Sequence, residues 1–203
     1  MLWSRRLSRR TVLKVDSASG LLSGATHVPS PNCDARPTGV QAELIVVHGI
    51  SLPPGDFGGP WIDRLFTNPL PLDAHPYFAE TGSRRVSAHL LIRRTGAVTQ
   101  YVKFTERAWH AGQSNFQGRT ACNDFSVGIE LEGTDTVPYE DAQYHALANV
   151  VAALCAAYPT LSTDRLVGHS DIAPGRKTDP GPVFDWMRAR SLIAGACNRP
   201  HRT

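Results

Sequence analysis

The sequence predicts an α+β (mixed α/β) fold: a single domain with a central mixed β-sheet flanked by helices. Three observations carry this. Short runs rich in Val, Ile and Leu alternate with segments of helical periodicity, which implies strands with helices laid on them. Two strand-like runs are joined by a two-residue turn and must be antiparallel, so the sheet is not purely parallel. The 203 residues show no internal repeat and no second composition regime, and such a length suits one domain with its own core.

The elements follow in order. The first 14 residues, MLWSRRLSRRTVLK, hold Arg5, Arg6, Arg9, Arg10 and Lys14 and no acid. The formal net charge of the whole chain is +3, so the basic excess belongs to this leader and the remainder is near neutral. A basic excess confined to the leader does not argue for a nucleic-acid-binding fold. The leader lacks the apolar core and small-residue cleavage site of a secretory signal. No apolar run has the length of a membrane span. Residues 1–21 are therefore read as a basic leader, disordered or variable, and residues 22–203 as the folded domain. Cys33, Cys122, Cys155 and Cys197 form no CxxC pair, a usage that fits a reducing cytoplasm.

Residues 27–40, rich in Pro, Asn, Asp and Gly, should run as an irregular arm. ELIVVH (43–48) is a β-branched apolar run, a buried strand ending at His48. GISLPPGDFGGP (49–60) must be a loop, because its glycines and prolines forbid regular structure. WIDRLF (61–66) can form a short helix. VSAHLLIRR (86–94) and AVTQYVKF (97–104) make a hairpin about Thr95-Gly96. DFSVGIELEG (124–133) is a strand whose alternation sets Val127, Ile129 and Leu131 on one face and Ser126, Gly128, Glu130 and Glu132 on the other. YEDAQYHALANVVAALCAAY (139–158) is the clearest helix. Leu147, Val150, Val151, Leu154, Cys155 and Tyr158 form its apolar stripe, and Glu140 and Asp141 favour its N-terminus. RLVGH (165–169) is a short strand, and PVFDWMRARSLI (182–193) a last helix with Pro182 at its start.

Two strands thus end in histidine, His48 and His169, each opening onto a Gly/Pro-rich loop where side chains meet ligands. The stretch GHSDIAPGRKTDPG (168–181) then brings Asp179 back after Pro174 and Gly175. Two imidazoles and a carboxylate suit a catalytic zinc, which takes three protein ligands and leaves one position open. A cation held at both ends of this irregular stretch would offset the entropy of closing it. The chain has eight histidines, and the spacing has no HExxH-type regularity, so spacing alone does not settle the ligand set. Glu130, beside small Ser126 and Gly128, could move a proton. Glu132 shares its face, and alternation cannot choose between them. Lys177 could reach a developing oxyanion. Trp61, Tyr101 and the pair Trp109-His110 offer aromatic surface, either for a sugar or peptide or for core packing.

At these residues the chain resembles a known family. VPSPNCDARP, LIVVHGISLPPGDFGGPWID, HPYFAE, RVSAHLLIRRTGAVTQYV, RAWHAG, CNDFSVGIELEGTDT and GHSDIAPGRKTDPGPVFDW are similar to stretches of the cytoplasmic zinc amidases of cell-wall recycling. These AmpD-type anhydromuramyl-L-alanine amidases sit within the larger amidase_2/peptidoglycan-recognition-protein family. The likeness spans residues 28–186 and leaves out the basic leader.

The resemblance implies one Zn²⁺ per chain, held by His48, His169 and Asp179. It implies Glu130, rather than Glu132, and Lys177 as catalytic residues, and Arg85, Ala108 and Trp109 as substrate contacts. It further implies hydrolysis of the amide between (1,6-anhydro-)N-acetylmuramic acid and L-alanine of soluble muropeptides, in the cytoplasm. Such recycling bears indirectly on β-lactamase induction. The implied partner is this small-molecule substrate, with no nucleic acid, membrane or obligate protein partner. Two other readings are a muropeptide-binding module that does not cleave, and a lytic amidase acting on intact peptidoglycan. One residue departs from the pattern: the family commonly has Asn after the first ligand, where this chain has Gly49.

Overall fold

Two seven-residue runs, Leu44–Ile50 and Ser126–Glu132, pair in parallel at the middle of a six-stranded sheet. The computed structural model describes residues 13–68 and 70–198. In chain order the strands are β1 (Val15–Asp16), β2 (Leu21–Leu22), β3 (Thr26–His27), β4 (Cys33–Ala35), β5 (Leu44–Ile50), β6 (Leu90–Ile92) and β7 (Val98–Gln100), followed by β8 (Glu106–Ala108), β9 (Asn115–Phe116), β10 (Arg119–Thr120), β11 (Ser126–Glu132) and β12 (Leu166–Gly168). The α-helices are α1 (Trp61–Thr67), α2 (Pro76–Thr81), α3 (Asp141–Ala157), α4 (His169–Ile172) and α5 (Trp186–Cys197). The central sheet runs β12-β5-β11-β6-β7-β3. Only the β6–β7 hairpin is antiparallel within it, so the sheet is mixed, as the sequence predicts.

Every residue of β11 is buried, because the strand is central and covered on both faces. Val127, Ile129 and Leu131, with Ile45 and Val47 of β5, pack against Leu147, Val150, Val151 and Leu154 of α3 and Ala189 and Ile193 of α5. This is the layer that removes most apolar surface from water, at about 25 cal/mol per Å². On the other face Leu44 and Val46 meet Ala111, Cys122, Phe125 and Ile172. A third cluster sets Ile62, Leu65 and Phe66 of α1 and Phe78 of α2 against Leu52, Leu91 and Tyr101.

Four differences from the sequence reading have physical causes. The last helix starts at Trp186, not at Pro182. Asp185 caps it by accepting from the Arg188 backbone N–H at 2.9 Å, and Phe184, just before, is buried against Tyr139, Tyr144 and Trp186. Capping chemistry and the need to bury Phe184 outweigh the preference of Pro for a first helical position. Residues 13–21 of the expected leader belong to the fold: β1 and β2 form a hairpin, Leu13 and Val15 pack on the main core, and the fully buried Leu22 donates its N–H to Gln100 Oε1 at 2.8 Å. The remaining leader, residues 1–12, lies outside the described residues. The irregular arm carries the short strands β3 and β4, which pair β7 and β8. Helix α2 was not read from the sequence; His75 caps it, its ring accepting from the Tyr77 N–H at 3.1 Å, with Pro76 at the first helical position.

Candidate metal centre and active site

Strand register builds the site. Glu130 of β11 stands directly opposite His48 of β5, so the two side chains leave the same face of adjacent parallel strands. Gly168 of β12 pairs with Val47, which places the next residue, His169, beside His48. His48 lies within β5, which continues to Ile50, and His169 opens α4. This is the carboxyl end of the parallel strands, where open α/β sheets receive ligands.

The loop after His169 then returns Asp179 to both imidazoles. His48 Nδ1 and His169 Nδ1 are 2.9 Å apart, and Asp179 Oδ2 lies 3.2 Å from the first and 3.1 Å from the second. The loop is better supported than its composition suggests. Ser170 N–H donates to Asp179 O, the Arg176 and Lys177 N–H groups donate to Ala173 O, and Asp171 accepts from Gly168 N–H. The Arg176 guanidinium also donates to the carbonyls of Ala111 and Gln113. A cation is therefore not the sole clamp on this stretch.

The donor chemistry at the centre fits a metal ion. His169 Nε2 lies 3.1 Å from Ala111 O. A carbonyl only accepts, so Nε2 carries the ring proton and Nδ1 presents its lone pair toward Asp179 and His48. Three acceptor-capable atoms within 4.8 Å of one another repel unless positive charge sits among them. Two imidazoles and a carboxylate form the borderline-soft set that suits zinc. Burial holds His48 neutral, its pKa pushed down to about 4. Burial would raise the Asp179 carboxyl, but His169 and His48 beside it hold it well below the usual carboxylate range.

Glu130 faces the same groove. Its Oε2 is buried and has no hydrogen-bond partner among the described residues. Burial, and then the Asp179 charge, push its pKa well above the ordinary value, with Lys177 acting in the opposite sense. Glu132 has a different environment. It accepts from Gly58 N–H at 2.6 Å, Arg94 N–H at 3.2 Å and Arg93 Nη1 at 3.1 Å, and so ties the 51–60 loop to the sheet.

The groove has a volume of about 540 Å³. Its wall includes Ile50, Leu52, Leu65, Phe66 and Tyr77 on the apolar side and Thr134, Asp135, Arg176 and Lys177 on the polar side. Trp109 lines it, with its indole N–H donating to Asp34 Oδ1 at 3.2 Å. Arg84 lines the groove; Arg85, although exposed, is not part of this wall. Ala108 is fully buried in the α1 cluster and paired with Cys33 in the β4–β8 ladder, and it is not part of this wall. Trp61 packs on Phe78, and Tyr101 is buried against Phe66 and bonded to Asp63, which assigns both to packing. His110, read from the sequence only as aromatic surface, lies against His48. Arg84 and Tyr77 had no signal in spacing or periodicity.

A family model for N-acetylmuramoyl-L-alanine amidase, Amidase_2, matches residues 38–182. The chain belongs to the Amidase_2 family. Among relatives, the 1,6-anhydro-N-acetylmuramyl-L-alanine amidase AmpD of Salmonella typhimurium (strain SL1344) is 62% identical over 175 residues, covering 86% of this chain and 93% of the relative. The crystal structure of a Se-Met AmpD derivative superposes with a TM-score of 0.85 at 59% identity, covering 88% of this chain and 98% of that one. AmpDh3 from Pseudomonas aeruginosa, solved in complex with anhydromuramic pentapeptide, has a TM-score of 0.56 at 28% identity, covering 77% of this chain and 61% of that one. Gly49, next to His48, is closely packed. A Cβ added there would overlap the Tyr139 hydroxyl, which donates to Pro180 O at 2.9 Å.

Proposed function

We propose that this chain is a zinc-dependent amidase of peptidoglycan recycling. It hydrolyses the amide that joins the lactyl group of 1,6-anhydro-N-acetylmuramic acid to L-alanine of a muropeptide. The observation that carries this is the convergence of His48 Nδ1, His169 Nδ1 and Asp179 Oδ2 beside the unpartnered Glu130 Oε2, in one groove of an Amidase_2 domain. Relatives named for this activity at 51–62% identity support the substrate class.

His48, His169 and Asp179 would hold the zinc ion. Bound there, zinc supplies Lewis-acid polarisation of water and of a carbonyl. Glu130 takes the proton of the attacking water at Oε2, a role suited to a carboxyl whose surroundings favour protonation. The same carboxyl, now protonated, passes the proton to the nitrogen of the leaving L-alanine. Lys177, exposed on the groove wall, puts its ammonium toward the oxyanion that forms on the lactyl carbon. Trp109 and the apolar wall at Leu52 and Phe66 suit the weakly polar faces of the substrate, and Arg84 and Arg176 suit the carboxylates of a stem peptide. Arg85 lies next to this wall. Ala108 adjoins it in the chain, next to Trp109.

The substrate is a soluble fragment and the compartment the cytoplasm. No helix among the described residues is long and apolar enough to cross a membrane. The catalytic domain extends at least from residue 13, where the β1–β2 hairpin packs on the core.

The deciding experiment incubates the protein with an anhydromuramyl tripeptide, with and without chelator, and identifies products by mass spectrometry. Release of anhydro-N-acetylmuramic acid and a peptide with a free L-alanine amine, lost on chelation and restored by zinc, is expected. Binding without cleavage would leave a recognition module. A preference for intact sacculi would replace recycling with lysis.

A further inference from the structure

Behind His48 and His169 lies a second layer of polar groups, and one member of that layer is the histidine His110. His48 Nε2, the ring nitrogen remote from the centre, lies 2.8 Å from His110 Nδ1, and His110 Nε2 lies 3.0 Å from Ser126 Oγ. The two imidazoles meet edge to face, with ring centroids 4.9 Å apart. The His110 backbone is itself fixed, since its N–H and that of Ala111 both donate to Asn123 Oδ1, at 3.1 and 2.8 Å. Gly128, one step along β11 from Ser126 on the same face, leaves room for the ring: a Cβ there would overlap it.

We infer that His110 is a positioning residue for the metal centre, accepting the Nε2 proton of His48 so that the His48 Nδ1 lone pair is fixed toward the ion. This rests on the zinc reading above. Only one tautomer of His48 can ligate through Nδ1, the one with its proton on Nε2, and that proton needs an acceptor. His110 Nδ1 is that acceptor. His110 then carries its own proton on Nε2 and donates to Ser126 Oγ. His169 achieves the same end differently, its Nε2–H going to the carbonyl of Ala111. Residues 110 and 111 of one segment thus orient both histidine ligands. The RAWHAG stretch thereby has a function that its reading as an aromatic substrate surface does not contain.

The test is the affinity of the metal-free protein for zinc, measured by competition with a chromophoric chelator. His110→Leu, similar in bulk but unable to accept, is expected to weaken zinc binding about 10- to 100-fold. His110→Asn, which keeps an acceptor near the Nδ1 position, should recover most of that loss. Unfolding midpoints of the metal-free variants separate orientation of the ligand from a loss of fold. A folded Leu variant that binds zinc as tightly as the parent overturns the inference. So does an Asn variant as weak as the Leu variant, since packing rather than the acceptor would then be at work. Should the Leu variant not fold, Ser126→Ala takes its place. It removes only the group that fixes the far side of the ring, and zinc affinity equal to the parent's overturns the inference. Failure of the parent chain to bind one zinc would instead defeat the metal reading beneath it.

Discussion

Glu130 and Glu132 leave the same face of β11 two residues apart, yet one aims an unpartnered oxygen into the groove and the other is saturated by Arg93, Arg94 and Gly58. The difference lies in what each meets across the sheet. Glu130 stands opposite His48, while Glu132 stands opposite Ile50, where the 51–60 loop leaves the strand. Opposite mutational behaviour follows.

Glu130→Gln should keep zinc and fold while turnover falls about 10²- to 10⁴-fold, the usual worth of a positioned proton carrier. Metal analysis alongside steady-state rates checks this. A variant of near-normal rate would remove the proton-transfer role.

Glu132→Ala should act on stability instead. It takes one carboxylate from Arg93, which keeps Asp63 and the Gly59 carbonyl, and leaves the Gly58 and Arg94 N–H groups without their acceptor. Losing these charge-assisted hydrogen bonds costs about 1.5–3 kcal/mol. Denaturant unfolding should show the loss; a variant within about 0.5 kcal/mol of the parent would be the ordinary result for a surface change and would deny Glu132 its anchoring role.

Asp179→Ala should lose zinc and turnover together, because the remaining two imidazoles cannot supply the three protein ligands of a catalytic site. Unchanged activity in a preparation free of metal would defeat the zinc assignment.

Acid should destabilise the metal-free protein through its buried histidines. Burial, and then Arg36, push the His89 pKa down to about 3, and His48 is held at about 4. Between those values and about 6.5 the unfolded chain binds protons that the folded one refuses, so stability falls as pH falls through that window. Asp179 loses its contribution lower still, below the ordinary carboxylate range, while Glu130, whose folded form holds its proton more tightly, acts in the opposite direction. His89→Asn should flatten the decline in urea midpoint between pH 6.5 and 4; an unchanged slope would exclude His89 as a source.

Asp185→Ala should cost about 1 kcal/mol by uncapping α5, seen as a lower thermal midpoint with unchanged zinc content. No loss would mean that the Arg188 N–H finds water as a ready substitute.

The sequence by itself determined the long strands, the α3 helix and the β6–β7 turn, and it singled out His48, His169 and Asp179, which the fold brings within 4.8 Å of one another. Those features are written in local periodicity, in turn residues and in a family pattern that needs no neighbours to be read. Tertiary structure alone decided the rest. Parallel register set His48 opposite Glu130 and brought His169 beside it. Strand environment separated Glu130 from Glu132, and burial of Phe184 moved the start of α5. The fold seated His110 against His48, and it put Arg84 on the groove wall. Each of these depends on which residues from distant segments become neighbours, and periodicity along one segment carries no information about its partner across the sheet.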